Sequence, residues 1–142
     1  MRRLALSMAV LAVLACEEGP QPVGGAASQT ELPATLTLEV GDTAHIGNVP
    51  LVFSGVLSDS RCPVDVVCVW SGNAEVEIQA GPPDSSDGPT FQLILNSTQG
   101  TREGVAYGLV VRLQELKPAA HSQRPIPADG YEVRLEVRGL ED

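Results

Sequence analysis

Aromatic side chains are scarce in this chain: one Trp, two Tyr and two Phe among 142 residues. A hydrophobic core must then be assembled mainly from Val, Leu and Ile, a composition that suits strands. Basic residues are scarce as well, nine against 18 acidic, and two of the nine, Arg2 and Arg3, stand at the very start. The shortage argues against nucleic acid and anionic lipid headgroups as partners, because both require a basic surface. Histidine is limited to His45 and His121, too few for easy assembly of a serine-hydrolase triad. Phe53-Ser54-Gly55 also lacks the glycine that a nucleophile elbow places two residues before its serine. Both methionines, Met1 and Met8, lie in the first fifteen residues, which removes the thioether ligands favoured by a Cu(I) carrier. Asp84 and Asp87 share a loop, but their spacing does not fit an EF-hand, and no phosphate or dinucleotide fingerprint occurs. The expectation is a protein without metal or cofactor.

The first fifteen residues, MRRLALSMAVLAVLA, set two arginines before an apolar run that ends in small side chains. Such a run is too short to span a membrane as a helix and reads as a signal peptide, residues 1–15. Val13-Leu14-Ala15-Cys16 resembles the lipobox of bacterial lipoproteins. The resemblance implies that the Cys16 thiol is diacylated, that the leader is cut before it, and that the new amino terminus is acylated, for example with palmitate. Each buried methylene contributes about 0.8 kcal/mol, so several acyl chains hold a domain on a membrane almost permanently. Residues 16–31 continue with Gly, Pro, Ala, Ser and Gln and read as a flexible tether, about 20 Å long as a coil. The expected location is the bacterial cell envelope. The outer membrane is favoured over the inner, although Glu17 after the lipidated cysteine leaves the choice open.

Setting Cys16 aside, Cys62 and Cys68 remain in an exported chain, and an even remainder in an oxidising compartment reads as a disulfide. Redox pairs space their cysteines by two residues and zinc sites need four ligands. Closing this loop of seven residues restricts the unfolded chain by about 2.4 kcal/mol in the loop-entropy treatment.

From residue 32 to 142, a length that suits one domain with a single core, the governing pattern is alternation of apolar and polar residues, the signature of strands with one wet face. Leu36, Leu38 and Val40 form one inward set. The run from Leu51 to Leu57 is apolar on both parities and is expected to be buried on both faces. Cys68, Trp70, Gly72, Ala74, Val76 and Ile78 share a parity, which points the tryptophan towards the core unless a bulge intervenes at Ser71-Gly72-Asn73. Phe91, Leu93 and Leu95 form a further set, and Val105, Tyr107, Leu109, Val111 and Leu113 the longest. The last run, Tyr131 to Arg138, alternates most cleanly and carries Glu132, Arg134, Glu136 and Arg138 on its wet face, a ladder for cross-strand pairing. Six or seven strands with Pro- and Gly-rich loops and no convincing helix predict an all-β fold, an antiparallel two-sheet sandwich of immunoglobulin type, with a small closed β-barrel as the alternative.

One segment stands apart: Asp59-Ser60-Arg61-Cys62-Pro63, then Cys68, Trp70, Ser71 and Gly72. It resembles a family of small bacterial exported proteins that share DSRCP, about five residues to a second cysteine, a tryptophan, a small residue and a glycine. The resemblance extends to the Tyr107–Pro118 segment and the closing strand, and it implies a disulfide-bridged β domain without an established activity. Physically, Arg61 either braces the loop by pairing with Asp59 or Asp65, or joins Asp59 and Trp70 in a surface site where the guanidinium takes a carboxylate and the indole takes a sugar.

The function expected from these residues is a membrane-anchored, non-enzymatic binding or structural module of the cell envelope. Its partners would be the membrane, through the lipid, and an envelope protein, peptide or glycan, with no nucleic acid. The alternative is an envelope hydrolase whose carboxylates are brought together only by the fold, Glu75 and Glu77 being one pair to watch.

Overall fold

The computed structural model describes residues 31–83 and 87–140. The leader, Cys16, nearly all of the tether, and Asp84 lie outside the described residues. Eight strands form within them: β1 (Ala34–Glu39), β2 (Thr43–Ile46), β3 (Val49–Asp59), β4 (Ala74–Ala80), β5 (Phe91–Asn96), β6 (Glu103–Ala106), β7 (Leu109–Lys117) and β8 (Glu132–Gly139). Antiparallel pairing joins them into two four-stranded sheets, ordered β1-β8-β7-β6 and β2-β3-β4-β5. The expected all-β antiparallel sandwich is what forms, and it does not close into a barrel. Each sheet is largely a meander, with β1 added beside β8, so the strand order is simpler than the Greek key of immunoglobulin domains.

Alternation explains the sheets. Ala74, Val76, Ile78 and Ala80 of β4 are buried, whereas Glu75, Glu77 and Gln79 between them face outward. Val133, Leu135 and Val137 of β8 do the same opposite Leu113 and Val111 of β7. Phe53 and Leu51 of β3 complete the centre of the core. Burying each such side chain contributes about 1.5–3 kcal/mol, and this is the main stabilisation of a sandwich. The wet face of β8 carries the expected ladder: Glu132 pairs with Lys117 at 3.3 Å, Arg134 with Glu115 at 3.3 Å, Glu136 with Gln114 at 3.1 Å and Arg138 with Glu103 at 3.5 Å.

Four expectations are corrected. The 105–113 run is not one strand, because Tyr107 and Gly108, both at positive φ (54° and 70°), form a two-residue hairpin turn between β6 and β7. A turn with positive φ at both central positions matches the twist of the paired strands, and it leaves Val105 and Tyr107 exposed while Leu109, Val111 and Leu113 are buried. Phe91 also stays exposed and meets Tyr107 edge-on, with ring centroids 5.4 Å apart. The 51–57 run is buried on one face only: bulges at Phe53/Gly55 and Val56/Ser58 re-aim β3, and Leu57 faces water. Finally, the alternation through Cys68 and Trp70 does not begin until Ala74, and Trp70 points away from the core.

The two ends of the sandwich differ. β1 starts beside the end of β8, with Ala34 opposite Val137, so the chain enters at the end that also holds the Tyr107-Gly108 turn and Leu140. The connections 60–73, 97–102 and 118–130 gather at the far end.

Candidate functional site

The far end is built around the long connection from β3 to β4. Beyond the last ladder pair, Asp59 and Ala74, the two chains continue to bond: the Ser60 amide donates to the Asn73 carbonyl at 2.7 Å and the Cys62 amide to the Ser71 carbonyl at 2.9 Å. Gly72 makes this possible. Its φ is +70°, and a Cβ there would lie 1.8 Å from the Ser60 carbonyl oxygen, so any larger residue would force the two chains apart. Asn73 fastens the neighbouring loop. Its side-chain amide donates to Asn96 Oδ1 at 2.7 Å, and its Oδ1 accepts the amides of Thr98 and Gln99 at 3.2 and 3.3 Å.

Past Cys62 the chain turns back through the expected disulfide to Cys68, whose Cα lies 5.9 Å from that of Cys62. The Val64 amide donates to the Ala120 carbonyl at 2.9 Å. Asp65 accepts the amide and hydroxyl of Ser122 at 2.9 and 2.7 Å. These Ser122 hydrogen bonds hold the Asp65 carboxyl below its ordinary value against slight desolvation, with help from nearby His121. The loop is thus pinned to the 118–130 connection on one side and to its own strands on the other. Between the pins the apolar side chains face solvent: Val67 is 102% exposed, Val69 91% and Trp70 78%, with Val64 and Val66 also open.

Asp59 and Arg61 are brought together, and they sit behind this loop rather than on it. The guanidinium forks onto the carboxylate, Nε to Oδ1 at 2.8 Å and Nη2 to Oδ2 at 2.7 Å, with only 13% and 11% of the two side chains exposed. Nη1 donates to the Leu116 carbonyl and Nη2 to the Pro118 carbonyl, each at 2.9 Å. The Tyr131 hydroxyl donates to Asp59 Oδ2 at 3.2 Å. Partial burial works to raise the Asp59 carboxyl, but the hydrogen bonds from the Arg61 side chain and amide, its charge, and the Tyr131 hydroxyl outweigh it and hold the group below its ordinary value. Burial, followed by the facing Asp59 charge, pushes the Tyr131 phenol up.

Arg61 therefore spends its donors on bracing the loop, the first of the two roles its sequence context suggested. A depression of about 350 Å³ beside it is lined by Asp59, Tyr131, His121, Ser122 and Arg124 among others, and Trp70 does not reach it. His121 follows the pattern of a brace too: Arg124 Nη2 lies 3.1 Å from its Nδ1, and the Ser122 hydroxyl beside it donates to Asp65 and not to the imidazole. His45 is exposed on β2 and borders a wider groove of about 720 Å³ on the outer face of β2–β4, in which Asp87 is the one carboxylate among the described lining residues. Glu75 and Glu77 lie on the outer face of β4, and Glu75 accepts the Ser58 hydroxyl at 3.2 Å. Among the described residues no three His, Cys, Asp or Glu side chains come together at metal-binding range.

The residues that sequence reasoning missed are Val64, Val66, Val67 and Val69. Their signal was present: between Cys62 and Trp70 both parities are apolar, and a short loop closed by a disulfide has no second face on which to bury them. No protein-family model, curated protein or solved structure matches the chain.

Proposed function

We propose that the protein is a lipid-anchored, non-enzymatic component of the bacterial cell envelope, held through Cys16, whose sandwich carries a binding surface on the disulfide-closed loop between Cys62 and Trp70. The observation that carries this reading is the exposure of Val67, Val69 and Trp70 on a loop fixed by a disulfide, an ion pair and cross-loop hydrogen bonds. Exposed apolar side chains normally cost solubility, and a contiguous group of them marks a contact surface. Rigidity adds to the case, because a surface held in place before contact loses little entropy when it binds. The Asp59–Arg61 pair has a positioning role here, and Trp70 with the valines makes the contact. Lipid attachment rests on the leader and the Val13–Cys16 motif.

Two measurements test the reading. Mass analysis of the chain from its native host should give an acylated Cys16 at the amino terminus, and an unmodified residue there removes the anchor. A photo-crosslinking amino acid at position 67 should form adducts in intact cells, whereas the same group at exposed Asn48, at the other end of the sandwich, should not. Equal or absent crosslinking at the two positions removes the binding surface.

A further inference from the structure

The tip of the loop between Cys62 and Ser71 differs from the rest of the molecule in charge. The chain holds 18 acidic residues against nine basic, and at this end of the sandwich Asp59 neutralises Arg61 while Glu39 and Glu132 face each other at the strand ends behind the loop. Between Cys62 and Ser71 the single charge is Asp65, and it is turned back onto Ser122. What projects is uncharged: Val66, Val67, Val69 and Trp70.

Building on the binding reading above, we propose that this tip docks by inserting those four side chains into the interfacial layer of a lipid bilayer with uncharged, zwitterionic headgroups. The shape argues for a bilayer over a peptide or glycan. Val67 and Val69 stand clear of all neighbours, so the tip is a projection with no cleft to receive a chain, and a bilayer admits a projection without needing a matching shape. The tip ends in the side-chain types that partition there, aliphatic at the front and a single indole, which settles at the headgroup level with its N–H still wet. Insertion is shallow. The amides of Cys62, Val64 and Val66 have protein acceptors, and interfacial depth leaves the remaining loop backbone in contact with water and headgroups, as its polar groups require. Charge sets the lipid class, because an anionic surface would repel a chain with twice as many acidic as basic residues.

Geometry permits the anchoring membrane itself to be the target. β3 runs most of the way from the chain's point of entry to the tip, and its 11 residues extend about 36 Å. Residues 17–30 would reach about 50 Å when extended. A chain held at Cys16 can therefore lay its far end on the same bilayer, and tethering raises the local lipid concentration that the tip meets.

The test uses the unlipidated chain from residue 17 onward, which contains every strand and core residue among the described residues. Trp70 is the only tryptophan, so its emission reports the tip alone. Titration with phosphatidylcholine–phosphatidylethanolamine vesicles should shift that emission to the blue and shield it from iodide, with a weaker response to phosphatidylglycerol vesicles. A Val67→Ser/Val69→Ser variant, which keeps the tryptophan and should unfold at the parent temperature, should need roughly tenfold more lipid. The bilayer is ruled out by an emission unchanged at millimolar lipid, by a variant that responds like the parent, or by a shift that follows protein concentration without lipid, the mark of a second copy as occupant. The two readings separate cleanly: no response to vesicles together with protein adducts at position 67 in cells would leave the binding surface standing and remove the bilayer as its target.

Discussion

Arg61 Nη1 donates to the carbonyl of Leu116 at 2.9 Å, and so a residue that follows β3 of one sheet is bonded to the end of β7 in the other. The same guanidinium reaches Pro118 and holds Asp59, which in turn accepts the hydroxyl of Tyr131 just ahead of β8. Three segments, the end of β3, the end of β7 and the start of β8, are joined through this one ion pair. This junction holds the base of the exposed loop.

Replacing Arg61 by Ala should therefore destabilise the whole domain, and not only the loop. Asp59 would be left as a largely buried charge with only the Tyr131 hydroxyl and the residue 61 amide as donors, and two carbonyls would lose their donor. Breaking a buried pair in this way costs about 3–5 kcal/mol. Arg61→Lys keeps the charge but cannot fork onto the carboxylate and reach two carbonyls as well, so it should recover only part of the loss. Urea unfolding of the parent and the two variants measures this. An Ala variant within about 0.5 kcal/mol of the parent would show that the junction contributes little.

The same junction sets an acid limit. The folded-state pKa of Asp59 lies below its unfolded value, so its contribution to stability is fully present above the unfolded value of about 3.9 and is lost as pH falls through the folded value. Tyr131 is shifted the other way. The stability linked to its neutral form is present below the unfolded value of about 10 and fades as pH rises beyond it. Melting temperature followed from pH 6 downward should fall below about pH 4 in the parent. In Asp59→Asn it should start lower and fall less steeply. Parallel curves for the two proteins would assign the acid limb to other carboxylates.

Removing the disulfide by Cys62→Ser/Cys68→Ser should cost about 2.4 kcal/mol through the entropy of the unfolded chain. The sandwich should survive, since every core residue lies on a strand or beside one. Native-state hydrogen exchange should then show a local effect. The amides of Cys62 and Val64, which bond to Ser71 and Ala120, should exchange faster, relative to Val76 and Ile78 of β4 and Leu135 of β8, than they do in the parent. Unaltered exchange at the two loop amides would mean that the hydrogen bonds alone hold the loop.

The sheets were legible in the sequence to the degree that they depend on alternation. β4 and β8 bury every second residue as the pattern requires, and the Glu-Arg face of β8 finds its partners on β7 and β6. The Tyr107-Gly108 turn was hidden because its residues keep the apolar parity of the run and because tyrosine seldom takes positive φ. The outward position of Trp70 was hidden for a related reason. Its parity matches that of Ala74 and Val76, but Gly72 at φ +70° lies between them and breaks the strand.

By itself the sequence determined the fold class, the buried faces of β4 and β8 and the expectation of a Cys62–Cys68 bridge, because each of these follows from residues a few positions apart. Tertiary structure decided what becomes of Arg61 and of the valines. The carbonyls that occupy the guanidinium are 55 and 57 residues away, and no local pattern carries their position. Whether an apolar side chain in a loop is covered depends in the same way on what the rest of the chain brings over it, and above Val67, Val69 and Trp70 the described residues bring nothing.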